Sequence, residues 1–166
     1  MKNINATYKG LATGIVMIAL SVIFFYFLLL PVTGNNQMVI LLIFIVGILW
    51  SLISFKVKAP ATSRFKDYFS EGFKTFVVVA LLMAVFTFVF YKLNPQILEN
   101  TIKENNILVL KEGDHTPAEI NANSDKLRSI FMPMMLAINT IKYLLLGSLV
   151  SIITAGFLSQ KNRVEI

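Results

Sequence analysis

Four long apolar runs constrain this chain more than any other feature. They cover Leu11–Leu30, Met38–Phe55, Phe73–Tyr91 and Thr140–Leu158. They hold no acid, and their only charges are Lys74 and Lys142, each near the start of its run. A bilayer core about 30 Å thick takes about 20 helical residues at 1.5 Å each, and every run is long enough. A soluble core helix carries a polar stripe; these runs carry none. Strands of a membrane barrel alternate over about ten residues, and no such alternation is present. Lipid offers no partner to backbone N–H and C=O groups, so helices are the expected form. The sequence predicts an all-α, polytopic membrane protein: a single integral membrane domain over residues 1–166 with four transmembrane helices.

Composition agrees. The chain is 56% hydrophobic and 14% charged, against about 45–50% and 25% in soluble domains. Without cysteine it has no disulfide, thiolate metal site or thiol nucleophile. The first run exceeds the ~7–15 apolar residues of a signal-peptide core. Leu30-Pro31-Val32-Thr33-Gly34-Asn35 after it shows no small-x-small cleavage pattern, so it reads as an uncleaved anchor.

Basic residues set the expected orientation. The termini and the second connection carry Lys2, Lys9, Lys56, Lys58, Arg64, Lys66, Lys74, Lys161 and Arg163 against Asp67, Glu71 and Glu165. The first connection is uncharged, and the long third connection, residues 92–139, holds more acids than bases. Both termini are therefore expected in the cytoplasm and residues 92–139 outside it. This asymmetry accounts for the net charge of +6 without nucleic acid. Tyr26, Trp50, Tyr91 and Tyr143 fall near predicted span ends, and Tyr8 and Tyr68 just outside, as interfacial aromatics do.

At 100° per residue, Phe65, Tyr68, Phe69, Phe73 and Phe76 fall on one arc of residues 64–76. Arg64, Lys66, Asp67, Ser70, Glu71 and Lys74 take the other face. This predicts an interfacial amphipathic helix before span 3. Lys56, Lys58, Arg64, Phe65, Lys66, Phe69 and Phe73 are its candidate membrane-interface residues, open also to a partner or to anionic lipid. The third connection is expected to be partly helical. Gly113-Asp114 breaks it, and Thr116-Pro117-Ala118-Glu119 forms a capping box that starts a second helix. That helix can run into span 4, with Pro133 as a kink or stop.

Chemistry-bearing groups are sparse. Glu112, Asp114, His115 and Glu119 cluster near the connection's turn, but their spacing matches no metal motif, and turn and helix-start roles explain them. No catalytic, cofactor or metal site is assigned. No Asp or Glu lies within an apolar run, which counts against a proton-coupled carrier. Lys142 is the one intramembrane charge; its stem can snorkel to the interface or its ammonium can pair internally.

Small residues carry more information. Gly147, Ser151, Ala155 and Ser159 repeat every four residues in span 4, and Ala6, Gly10 and Gly14 do so at the start of span 1. Such faces let backbones approach closely in lipid, where apolar burial gives little drive. Gly10, Gly14, Gly147, Ser151 and Ala155 are thus the expected helix-packing positions, within one chain or in a homodimer.

Phe69-Ser70-Glu71-Gly72-Phe73-Lys74-Thr75, the apolar third run, Tyr91-Lys92-Leu93-Asn94-Pro95 and the acidic helical connection resemble the bacterial family called domain of unknown function 4199. The glycine-bearing first span and basic tail fit as well, so the resemblance covers roughly residues 5–163. It implies a four-span inner-membrane protein of Gram-negative bacteria. It brings no activity, cofactor or catalytic residue.

Three functions follow in order of expectation. The first is a structural or accessory subunit binding other membrane proteins. The second is a small oligomeric transporter or channel for a lipid or small solute. The third is a membrane enzyme using the Glu112/Asp114/His115/Glu119 loop. The expected partners are the bilayer and a membrane protein or second copy.

Overall fold

Helices end where turn chemistry stops them, and charge alone does not. In the computed structural model, which describes residues 5–31, 34–60, 62–113 and 116–160, the helices overrun the second, third and fourth apolar runs at both ends, whereas the first helix starts before its run and stops at Phe27, short of Leu30. Helix α1 (Ala6–Val22) continues into a π-helical turn, Ile23–Phe27; α2 is Asn36–Lys56, α3 Phe65–Leu93, α4 Gln96–Glu112 and α5 Pro117–Gln160. No strand occurs among the described residues. The first helix with its π turn, α2, α3 and α5 are long and apolar enough to cross a membrane. The amphipathic segment is the opening of α3, with no break before span 3. The Arg64 N–H at its start is capped by Asp67 Oδ2 at 2.8 Å. The predicted capping box opens α5: the Thr116 N–H donates to Glu119 Oε2 at 2.8 Å, and the Glu119 N–H to Thr116 Oγ1 at 3.4 Å. Gly113, with φ of +80°, ends α4 in the left-handed region that glycine tolerates. Pro133 lies inside an uninterrupted α5.

The chain forms two units, one of Met1–Met83 and Thr140–Ile166, the other of Ala84–Asn139. The boundary falls within α3 and α5.

In the first unit, paired contacts give the helix directions. A Cβ at Gly10 would meet the Thr75 carbonyl at 2.7 Å, and one at Gly14 would meet Leu82 Cδ1 at 2.7 Å, so α1 and α3 run parallel. Gly47 touches Thr13 and Lys9 bonds Ser51, so α2 runs the other way. A Cβ at Gly72 would meet Ser151 Oγ at 2.6 Å, and one at Gly147 would meet Phe76 Cβ at 2.6 Å, which makes α5 antiparallel to α3. The result is an up-down-up-down bundle with the starts of α1 and α3 beside the ends of α2 and α5.

Its inner stripes are built largely from small residues: Ala6, Gly10 and Gly14 on α1, Gly47 and Ser51 on α2, Gly72 and Thr75 on α3, and Gly147, Ser151 and Ala155 on α5. Larger chains such as Met17, Phe44, Ile48, Leu52 and Val79 fill the remaining core. Many Leu, Ile and Val side chains point outward, among them Ile15, Val46, Leu81, Leu145 and Ile153. Water would penalise that outer surface, whereas lipid does not.

The second unit holds α4, the end of α3 and the first half of α5. The Tyr91 ring meets Phe131 edge-on at 5.3 Å, and Ile102 is buried. Asn106 and Ser124 bond side chain to side chain at 3.0 Å. At the surface Arg128 donates to both oxygens of Glu99, at 3.0 and 3.3 Å. That hydrogen bonding, with the guanidinium's charge, holds the Glu99 carboxyl below the usual carboxylate range.

Two predictions follow from this packing. Gly147→Ile overpacks the site against Phe76 and should destabilise the protein by about 1–3 kcal/mol. Ile152→Leu, on the outer surface, should stay within about 0.5 kcal/mol; thermal unfolding in detergent reads both. Because the folded Glu99 pKa is depressed, the stabilisation from its pair is fully present above the ordinary Glu value of about 4.3 and is lost as pH falls through the lower folded value. An NMR titration should find the Glu99 carboxyl titrating lower in the native chain than in Arg128→Ala.

Candidate functional site

A lysine in an apolar helix needs a partner, and Lys9 has one across the bundle. It sits one turn into α1 and is only 4% exposed. Its Nζ donates to Glu71 Oε1 at 3.1 Å and to the Ser51 carbonyl at 3.2 Å. One ammonium thus ties α1 to α2 and α3. The Glu71 side chain is 12% exposed. The sequence puts Glu71 on the polar face of residues 64–76 and Lys9 in the flank of the first run; the structure turns the two toward each other inside the first unit.

Hydroxyls extend the site. Ser51 Oγ and Thr75 Oγ1 lie 2.7 Å apart, and Thr75 Oγ1 donates to the Glu71 carbonyl at 3.0 Å. A hydroxyl has one proton, so with Thr75 donating there, Ser51 is the donor between them. Thr13 donates to the Lys9 carbonyl at 2.8 Å. Ser151 Oγ is buried opposite Gly72, with no hydrogen-bond partner. The cluster therefore gathers groups from all four helices of the unit. The available sequence signal was positional. Lys9 shares its helix face with Ala6, Gly10 and Thr13, and Glu71 directly precedes Gly72.

The same end of the unit carries the aromatic and basic residues. Phe65 and Phe69 stack at 6.0 Å, and Phe69 and Phe73 lie at 6.1 Å. Phe65 is 43% and Phe73 48% exposed. Tyr68 and Phe76, though on the arc expected at the membrane interface, are buried in the core, Tyr68 edge-on to Phe55 at 5.4 Å. Burial of Tyr68 and Tyr143 also removes them from an interfacial belt. Lys58, Arg64, Lys66 and Lys74 are exposed and Lys56 is half-buried.

Gly10 and Gly14 lie against α3 of the same chain, as do Gly147 and Ser151, and Ala155 is fully buried. The Lys142 ammonium lies 5.1 Å over the Tyr143 ring, a cation–π contact. Glu119 serves the capping box. The Glu112 side chain, Asp114 and His115 lie outside the described residues.

Between α1 and α2 the outer surface carries an open groove of about 220 Å³. It is lined by Ala12, Thr13 and Val16 of α1 and by Ile43, Val46, Gly47 and Trp50 of α2. Small residues in such a lining are the kind that permit close approach of a membrane helix.

Apolar outward faces, small-residue seams and an internal ion pair define a multi-pass α-helical membrane protein. The chain belongs to the family described as "Protein of unknown function (DUF4199)", whose model matches residues 8–160. No curated protein and no solved structure matches it.

Removing one member of a buried pair strands the other charge and costs about 3–5 kcal/mol. Lys9→Met and Glu71→Leu should each lower detergent stability by about that amount. The double variant should recover most of the loss, and a double-mutant cycle on thermal unfolding measures it.

Proposed function

We propose that this protein is an accessory subunit of the bacterial inner membrane, with both termini in the cytoplasm, that binds another membrane protein. The groove between α1 and α2 carries this reading. Its lining, with the small Ala12, Thr13 and Gly47 among Val16, Val46 and Trp50, suits a partner's transmembrane helix, because small residues permit backbone approach and dispersion contact where lipid gives no hydrophobic drive. Gly10 and Gly14 on α1 and Gly147 on α5 are already used within the chain, whereas the groove opens to the outside between α1 and α2. The collection of Lys56, Lys58, Arg64, Lys66 and Lys74 at one end supports the cytoplasmic assignment of that end. The proposed role requires no catalysis and no cofactor.

A second reading, a small transporter or channel, draws on one observation: Glu71 and Lys9 form an ionisable pair inside the bundle. Groups of that kind mark ion and substrate paths in membrane proteins.

Two measurements test these readings. Purification in mild detergent should recover a stoichiometric membrane-protein partner, and Ala12→Leu with Val46→Trp should abolish that recovery while helicity and melting stay native. Self-association alone would count against the accessory role, and solute flux in liposomes that Glu71→Gln removes would favour the second reading. A C-terminal reporter should be active in the cytoplasm.

A further inference from the structure

We infer that the end of the bundle formed by the close of α2 and the opening of α3 is a binding face for anionic phospholipid. The sequence of this segment offers Lys56, Lys58, Arg64, Lys66 and Lys74 against two acids, Asp67 and Glu71. Folding changes that balance. Glu71 is turned inward and neutralised by Lys9. Asp67 is turned back to cap the Arg64 N–H. Among the described residues the face thus carries four exposed cations and the half-buried Lys56, none in an ion pair, with Asp67 as its exposed carboxylate.

The aromatic residues give this charge a depth. Phe65, Phe69 and Phe73 form a continuous ladder of rings along α3, partly exposed beside Lys66. Val57, 81% exposed, adds an apolar residue between Lys56 and Lys58. Aromatic and apolar groups on such a face lie at the acyl boundary, and the cations beside them reach the phosphate layer. Charge complementarity selects lipids with net negative headgroups over zwitterionic ones. This inference is independent of any partner in the α1–α2 groove.

The test uses the full chain reconstituted in bilayers of equal phosphatidylglycerol and phosphatidylcholine. Lipid retained after gentle extraction is counted by native mass spectrometry. The native protein should enrich phosphatidylglycerol, and added salt should weaken the enrichment, since exposed charges are screened. One cation near an anionic surface is worth about fivefold. Changing Lys58, Arg64, Lys66 and Lys74 together to Gln should therefore cut the enrichment at least about tenfold. Lys103→Gln with Lys126→Gln, on α4 and α5, should leave it unchanged. Equal retention of the two lipids by the native protein would overturn the inference, as would enrichment that salt does not weaken. So would a folded quadruple variant with native enrichment. A face that captured an acidic polypeptide while showing no lipid preference would do the same. The native protein's salt dependence supplies an independent reading if the quadruple variant fails to fold.

Discussion

The ammonium of Lys9 holds the first unit to one arrangement. In lipid, a lone cation that cannot reach the interface carries a desolvation cost that only a paired anion and further acceptors offset. Lys9 meets that requirement through Glu71 on α3 and a backbone carbonyl on α2. Those partners lie at one height along their helices, so the pair fixes rotation and register as well as proximity. Apolar contact is a weak guide to register here, because lipid tails are as apolar as Leu or Ile. A polar contact with a single correct partner supplies the discrimination that hydrophobic burial supplies in water.

Close backbone approach makes this contact reachable. Gly10 lets α1 sit against the Thr75 carbonyl, and Gly72 lets α5 sit with Ser151 against α3. A side chain at either glycine would separate helices that the cluster needs together. The Ser51–Thr75 hydroxyl pair then bonds α2 to α3 inside the gap. Small residues and polar groups are therefore parts of one design: the former set the spacing and the latter choose the register. The unpartnered Ser151 hydroxyl is the one member of this cluster left without a hydrogen bond.

The internal pairing also shapes the outer surface. Because Glu71 is paired within the bundle, it does not pair with the cations of the α2–α3 connection. An interior ion pair and an exterior basic face are thus linked by one carboxylate. The second unit uses different chemistry. Its Glu99–Arg128 pair is exposed and screened by water, and its order comes from Ile102, the Tyr91–Phe131 contact and the capping box at Thr116.

The four spans were legible in the sequence because an apolar run of about 20 residues has few alternatives in a bilayer. The capping box and the break at Gly113 were legible because both are local: their partners lie within four residues. The packing positions Gly10, Gly14, Gly147 and Ser151 showed through their spacing. What the sequence could not decide was which neighbour each met. Helix periodicity gives a face but not the element opposite it, so intrachain and homodimer packing looked alike. Lys9 and Glu71, 62 residues apart, each looked like an ordinary flanking charge. Only the tertiary arrangement, which brings α1 and α3 side by side, turns two unrelated ions into a pair, because charge interaction depends on distance in space and sequence separation does not enter it.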